Sequence, residues 1–303
     1  MPLALESLRL HVAIAAELAA TVAPYAIEPV RRVLLAFGDE DHAELDDAER
    51  IFAEHVGFST ARLDARALQA IDPRLSSAIE EGLLIEGNRS LDSCAFNRAL
   101  IAGARKADAK VIRADVNGLD ARGHVVSAVR SDAGSFACDA VVLATGPWVD
   151  ETKHWLDLDL GVEPVKGEML RMRLPPPNIT HDLTHGMISL YRRGNDEAWV
   201  GVTRERAGFD ESPTAEGRRA LIEGASRIMP AIREASLVEH VASLRPMALS
   251  GLPLVGRAPG WDNVYIANGG GIKGVLLSTG IGAAIRDLVL TGTTTMPIKD
   301  FTP

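Results

Sequence analysis

The sequence predicts a mixed α/β (α+β) fold in which two domains each draw on discontinuous segments. Three observations carry that reading. Helix-period and strand-period stretches alternate along the 303 residues, without internal repeats or low-complexity linkers. Ala140-Val-Val-Leu-Ala144 is an unbroken apolar run closed by Thr145-Gly146, as expected of a strand buried on both faces. Val264 to Ala267 is a second apolar strand, followed by a glycine loop over 269–274 and an apolar helix.

In chain order, Leu3, Leu5, Leu8, Leu10, Val12, Ile14 and Leu18 in an alanine-rich stretch predict a helix ending near Pro24. Residues 28–36 predict a strand through Val30, Val33, Leu34 and Leu35. Residues 45–57 and 65–71 read as helices, the second stopped by Asp72-Pro73. A short strand over 82–86 precedes a helix over 94–107, with Ala95, Leu100, Ile101 and Ala104 as its buried face. Strands are expected at Val111-Ile112, at 116–119 and at 124–129, the last after a turn at Arg122-Gly123. Residues 162–174 and 187–203 read as strands, the latter split at Gly194-Asn195-Asp196. Ser212-Pro213 starts a helix, serine as cap and proline in the first turn, that runs to about Met229-Pro230. Residues 237–244 form a further strand, and the last helix spans Val275 to about Leu290.

Hydrophobic residues make up 47% and charged residues 24%, which is ordinary for a globular protein. The formal charge of −9 argues against nucleic acid or an anionic membrane surface as main partner, while leaving a small anionic substrate open. Cys94 and Cys138 form no CxxC pair, so free thiols in a reducing, cytoplasmic compartment are expected. No apolar run approaches a membrane span, and no basic leader opens the chain. His181-Asp-Leu-Thr-His185 comes close to HExxH. Pro175 to Pro177 upstream and Gly186 downstream make it a loop entering a strand, so no metal site is expected.

Gly269, Gly271 and Gly274 match GxGxxG between a strand and a helix. A complete dinucleotide fingerprint needs a second strand with an acidic residue after the helix, and none can be placed before Pro303. Glycines at a helix N-terminus still expose N–H groups backed by the helix dipole, suited to a pyrophosphate or a flavin edge. A tightly packed structural turn would look the same.

Several stretches in order narrow the choice: Ala140 to Trp148, Pro164-Val-Lys-Gly-Glu-Met-Leu170, Gly201-Val-Thr-Arg-Glu205, Leu244-Arg-Pro246, and Gly251 to Gly256 followed by Asn263 to Ser278. Together they resemble the D-amino-acid oxidase superfamily of FAD-dependent oxidoreductases, in particular its glycine oxidase-like branch. The resemblance is strongest over 135–290. It implies an incomplete FAD-binding Rossmann-like domain interleaved with a sheet-based substrate domain. Residues 1–90 would hold helical and substrate-domain elements, 91–158 and 244–303 the FAD domain, and 159–243 the substrate domain.

The resemblance implies backbone contact of Val116 with the adenine end of FAD. Ala144, Thr145 and Gly146 would line the nucleotide, with Trp148 packing nearby. Gly269, Gly270, Gly271, Ile272, Lys273, Gly274 and Val275 would run along the isoalloxazine ring. Arg245 matches the arginine that holds a substrate carboxylate, although an internal salt bridge is its alternative. Lys273 would oppose charge on the reduced flavin or be a solvated loop lysine, and Tyr191 would close the substrate site or simply pack. Ile188 falls where some relatives have tyrosine.

The family begins with a strand, GxGxxG and a helix, and roughly its first seventy positions have no counterpart here. The 303 residues alone are therefore expected to bind FAD weakly. The implied reaction oxidises the C–N bond of a small amino acid or amine such as glycine, sarcosine or a D-amino acid, by hydride transfer to flavin. Two alternatives stand beside it: a non-catalytic remnant or accessory subunit, and an FAD-dependent oxidase or dehydrogenase of a 2-hydroxy acid or polyol phosphate. Homo-oligomerisation or pairing with another subunit stays open.

Overall fold

The computed structural model describes residues 2–19, 24–194 and 196–303, Asp150 in its backbone only. The helices are α1 (Pro2–Ala19), α2 (Asp39–Ala53), α3 (Ala65–Ile71), α4 (Ser93–Lys106), α5 (Asp150–Leu156), α6 (Ala215–Ile228) and α7 (Gly274–Thr291). The strands begin with β1 (Ile27–Ala36), β2 (Ser59–Asp64), β3 (Glu81–Leu91), β4 (Val116–Arg122), β5 (Val125–Ser131), β6 (Gly134–Ala137) and β7 (Val141–Leu143). They continue with β8 (Val162–Arg173), β9 (Asp182–His185), β10 (Ile188–Arg192), β11 (Glu197–Gly201), β12 (Ser236–Ala248), β13 (Leu254–Arg257) and β14 (Val264–Asn268). Helices and strands mix throughout, as the sequence predicts.

The chain divides into two compact units, each made of separated segments. One holds residues 1–26, 91–165 and 244–303; the other holds 27–90 and 166–243. The first ninety residues, expected as one segment, are thus cut at Ala26.

In the first unit β7 pairs parallel with β14, and β14 antiparallel with β13, in a three-stranded sheet ordered β13-β14-β7. β4, β5 and β6 form a separate antiparallel sheet. The core joins Leu3 of α1, Val255, Tyr265, and Leu277, Ala284 and Ile285 of α7. Helices α1 and α7 meet at Gly280, where an added Cβ would press into Ser7 Oγ and lie 2.8 Å from Leu3 Cδ1. Thr279 Oγ1 donates to Ser7 O at 2.8 Å in the same contact. Gly280→Val should therefore cost about 1–3 kcal/mol by overpacking, read as a lowered denaturation midpoint at unchanged m-value. Full wild-type stability would show that the two helices do not meet there.

The second unit rests on the eight-stranded sheet β12-β8-β11-β10-β9-β1-β3-β2. Alternation along β8 to β11 sends Leu170, Met172, Leu183, Leu190 and Val200 to one face, where Leu221, Ala225 and Ile228 of α6 cover them. The α6 cap is Thr214, whose side chain accepts from Gly217 N at 2.9 Å. The sequence placed the cap at Ser212, two residues early; Ser212 N instead donates to Asp210 Oδ1 at 2.8 Å in a turn before the helix.

Other differences have local causes. The strand expected at Val111-Ile112 is absent; both residues are exposed in irregular backbone. α4 buries Phe96 and Ala99, whereas Leu100 and Ala104, expected inside, are exposed. α2 starts at Asp39, because an acidic first turn favours the helix dipole without any apolar periodicity to signal it. Val142 in the apolar run is 43% exposed: alternation along β7 buries Val141 and Leu143 on one face and turns Val142 to the groove on the other, so the strand is covered on one face rather than both. β12 continues through Pro246, which is tolerated on a strand at the end of the sheet order. The middle of the turn expected at Gly194-Asn195-Asp196, Asn195, lies outside the described residues, as do residues 20–23 before Pro24.

Residues Gly271–Thr291 form a helix long and apolar enough to cross a membrane, with a mean hydropathy of 1.4, which the sequence reading overlooked. Leu277, Ala284 and Ile285 of this helix belong to the core around β13 and β14, as in a core helix of a globular unit.

Candidate functional site

Within the first unit the parallel pair β7 and β14 ends side by side, and both C-terminal ends open into glycine-containing loops. Ligands of open α/β sheets gather outside such strand ends. After β7 the chain turns through Ala144-Thr145-Gly146, with Gly146 at φ +60° and Trp148 N donating to Thr145 O at 3.2 Å. After β14 come Gly269 at φ +71° and Gly271 at φ +51°, a left-handed region that side chains other than glycine rarely adopt.

Asn268 joins the two loops. It is buried, donates through Nδ2 to Thr145 Oγ1 at 3.2 Å, and accepts from Gly269 N at 2.7 Å. The sequence reading missed it. The available signal was a polar residue closing an apolar strand directly before three glycines.

A groove of about 400 Å³ runs from these loops along α7, lined by Val142, Ala144, Gly146, Gly270, Gly274 and Ser278. A Cβ on Gly270 would lie 2.8 Å from Gly274 Cα, so the loop closes on itself only with glycine there. A Cβ on Gly274 would meet nothing within 4 Å, which leaves open space above the head of α7. Lys273, at the N-cap of α7, makes no side-chain capping hydrogen bond. Small residues, positive-φ glycines and an uncapped helix N-terminus fit the flat, polar-edged ring system of a flavin.

Of the sequence-predicted residues, Ala144, Gly146, Gly269, Gly270 and Gly274 line this groove; Thr145, Gly271, Ile272, Lys273 and Val275 lie beside them in the same two segments without lining it. Trp148 is close in sequence and 57% exposed. Arg245 lies half-buried on β12, two residues before Met247, which bridges to Gly270. Arg245 and Met247 share a strand face, and Met247 Sδ is 2.8 Å from where a Gly271 Cβ would stand, so that face of β12 meets the glycine loop. Val116 opens β4 in the separate antiparallel sheet, exposed and paired with Ser131. Tyr191 belongs to the other unit, opposite Trp199, with the Arg193 guanidinium 5.9 Å from its ring centre.

The second unit contains a buried ionic cluster that the sequence reading quoted as a motif without resolving. Glu168 is fully buried and accepts from Thr214 N at 3.0 Å, Thr214 Oγ1 at 2.9 Å and His240 Nε2 at 2.7 Å. Lys166 Nζ lies 3.5 Å from Glu168 Oε1 and 3.2 Å from Glu205 Oε2, and donates to Ser212 O at 3.3 Å. Burial alone would raise the Glu168 pKa. The Thr214 backbone and hydroxyl, with His240, override it and hold the carboxyl below its ordinary range. His181 directly precedes strand β9 and His185 ends it, so the two do not share a helix face; His185 Nε2 lies 3.1 Å from Asp41 Oδ2.

Comparison with known proteins places this geometry in context. Glycine oxidase from Geobacillus kaustophilus is 30% identical over 298 residues, covering 95% of this chain and 77% of that protein. Its crystal structure superposes with a TM-score of 0.91 at 26% identity, covering 99% of this chain and 82% of that one. The hydrogen cyanide synthase subunit HcnC of Pseudomonas protegens is 29% identical over 254 residues, covering 80% of this chain. The match spans only 61% of the HcnC length, and 48% of the length of Pseudomonas putida glycine oxidase, which is 34% identical over 181 residues. Residues 1–288 match the family model for DAO, FAD dependent oxidoreductase. The chain belongs to the DAO family of FAD-dependent oxidoreductases.

Proposed function

We propose that the protein oxidises the C–N bond of a small amino acid or amine of the glycine, sarcosine or D-amino acid type. The observation that carries this reading is the glycine groove at the ends of β7 and β14, bordered by the β12 face that bears Arg245. Gly269 to Val275 are assigned to the isoalloxazine ring, Ala144 to Gly146 to the adjoining nucleotide and Val116 to the adenine end. Bound FAD would supply the two-electron acceptor for the oxidation. Arg245 orients the substrate by a bidentate pair with its carboxylate, fixing the carbon that bears the amine. The uncapped N-terminus of α7 favours negative charge at the head of the groove.

The GxGxxG over 269–274 precedes α7, and no second βα step follows it among the described residues, so that loop is not by itself a complete dinucleotide unit. The test is to titrate FAD into the chain alone and into the chain fused behind the strand–GxGxxG–helix unit of G. kaustophilus glycine oxidase. Weak binding by the first and tight, yellow, amine-reducible flavin in the second are expected. A folded fusion that takes up no FAD, or whose flavin no amine on a panel of glycine, sarcosine and D-amino acids reduces, sinks the reading. Reduction by 2-hydroxy acids alone would transfer it to the other substrate class.

A further inference from the structure

We infer that His11 is a positioning residue that clamps the far end of the glycine loop. Its relevance to flavin rests on the reading of that loop given above. His11 lies on α1 and is only 3% exposed. Its Nε2 sits 2.8 Å from Val275 O, the carbonyl directly after Gly274. A carbonyl only accepts, so Nε2 carries the hydrogen and the tautomer is fixed. The other ring nitrogen, Nδ1, is then a bare acceptor, and it is buried with no hydrogen-bond partner among the described residues.

That orphaned nitrogen makes a purely space-filling role a poor account. The ring packs against Phe96 with centroids 5.1 Å apart, and Phe96 in turn packs against Tyr25 at 5.2 Å. Phenylalanine would serve such an aromatic cluster without burying an unsatisfied polar atom. What phenylalanine lacks is the N–H to Val275 O.

The loop has reason to need that bond. Four of its six residues, 269–274, are glycine, the residue with the most backbone freedom to lose on ordering. Its near end is held by Asn268, which accepts from Gly269 N at 2.7 Å, and its middle by the bridge from Met247 to Gly270. Its far end has no side-chain cap from its own sequence. His11 supplies the hold from α1. Ser278 Oγ donates to the same carbonyl at 2.8 Å, and Ser278 also lines the groove.

The test compares His11→Phe, which keeps the ring and removes the donor, with His11→Gln, which keeps a donor of similar reach. Amide exchange over 274–278 should accelerate by roughly tenfold or more in His11→Phe, with global stability equal or higher, and return towards wild type in His11→Gln. The FAD dissociation constant of the 303-residue chain should rise about fivefold or more in the first variant and recover in the second. Nitrogen-15 spectra of the wild type should show the Nε2–H tautomer. Unchanged exchange over 274–278 in His11→Phe, or an Nδ1–H tautomer, overturns the clamp. Faster exchange with unchanged FAD affinity upholds the clamp and counts against the flavin reading of the loop.

Discussion

Replacing Arg245 with alanine is expected to weaken substrate binding by roughly thirty- to a thousand-fold, the loss of a charge-assisted pair worth about 2–4 kcal/mol when partly buried. The loss should appear mainly in KM, because the guanidinium is assigned to the substrate carboxylate in ground and transition states alike. Flavin content should hardly change, since the glycine loop and the turn after β7, not Arg245, form the groove. Arg245→Lys restores the charge without the planar fork, so it should recover only part of the affinity. The measurement is steady-state kinetics on the flavin-loaded protein over glycine, sarcosine and D-amino acids, with flavin absorbance read on the same samples. Wild-type kinetics in Arg245→Ala on every active substrate would show the arginine to be structural. Loss of flavin in that variant would point to an internal ion pair that shapes the groove.

Periodicity made some of this legible in the sequence. The runs at Val264 to Ala267 and Val275 to Leu290 are apolar, are bounded by glycine, and became β14 and α7 nearly as expected. Helix α3 was read to the residue because Asp72-Pro73 stops it; the structure adds Asp64 as its cap. Where local signals were weak, tertiary context decided. Val111-Ile112 looks like a strand but pairs with none among the described residues, whereas the short, exposed Gly134–Ala137 becomes β6 because β5 is beside it. At the groove, glycine spacing marked the loop. Asn268 and His11 stayed hidden, since their partners, Thr145 and Val275, lie 123 and 264 residues away in sequence. Lys166 and Glu168 were equally opaque. Side chains two apart on a strand share a face, but nothing local says that the face is buried or that Thr214 and His240 will arrive there.

That cluster gives the largest expected effect on stability. Glu168→Ala should destabilise the protein by about 3–5 kcal/mol, the usual cost of removing one partner from a buried charged network. The carboxylate is fully buried and all its partners are donors, so its removal strands Thr214 N at the start of α6 and the inward side of Lys166 together. Glu205, the other carboxylate near Lys166, is 37% exposed in its side chain and offers Thr214 and His240 no replacement. Glu168→Gln keeps the shape and one acceptor but puts an amide N–H₂ among donors, so it should fall between wild type and alanine. The pH dependence has a definite sign. The folded-state pKa of Glu168 is depressed, so its contribution is fully present above the unfolded carboxyl range, near about 4.3, and is lost as pH falls through the lower folded value. The gap between wild type and Glu168→Gln in urea denaturation should therefore be full at neutral pH and narrow under acid conditions. A gap that widens on acidification, or a Glu168→Ala variant as stable as wild type, would mean that Glu168 is not the charged centre of the cluster.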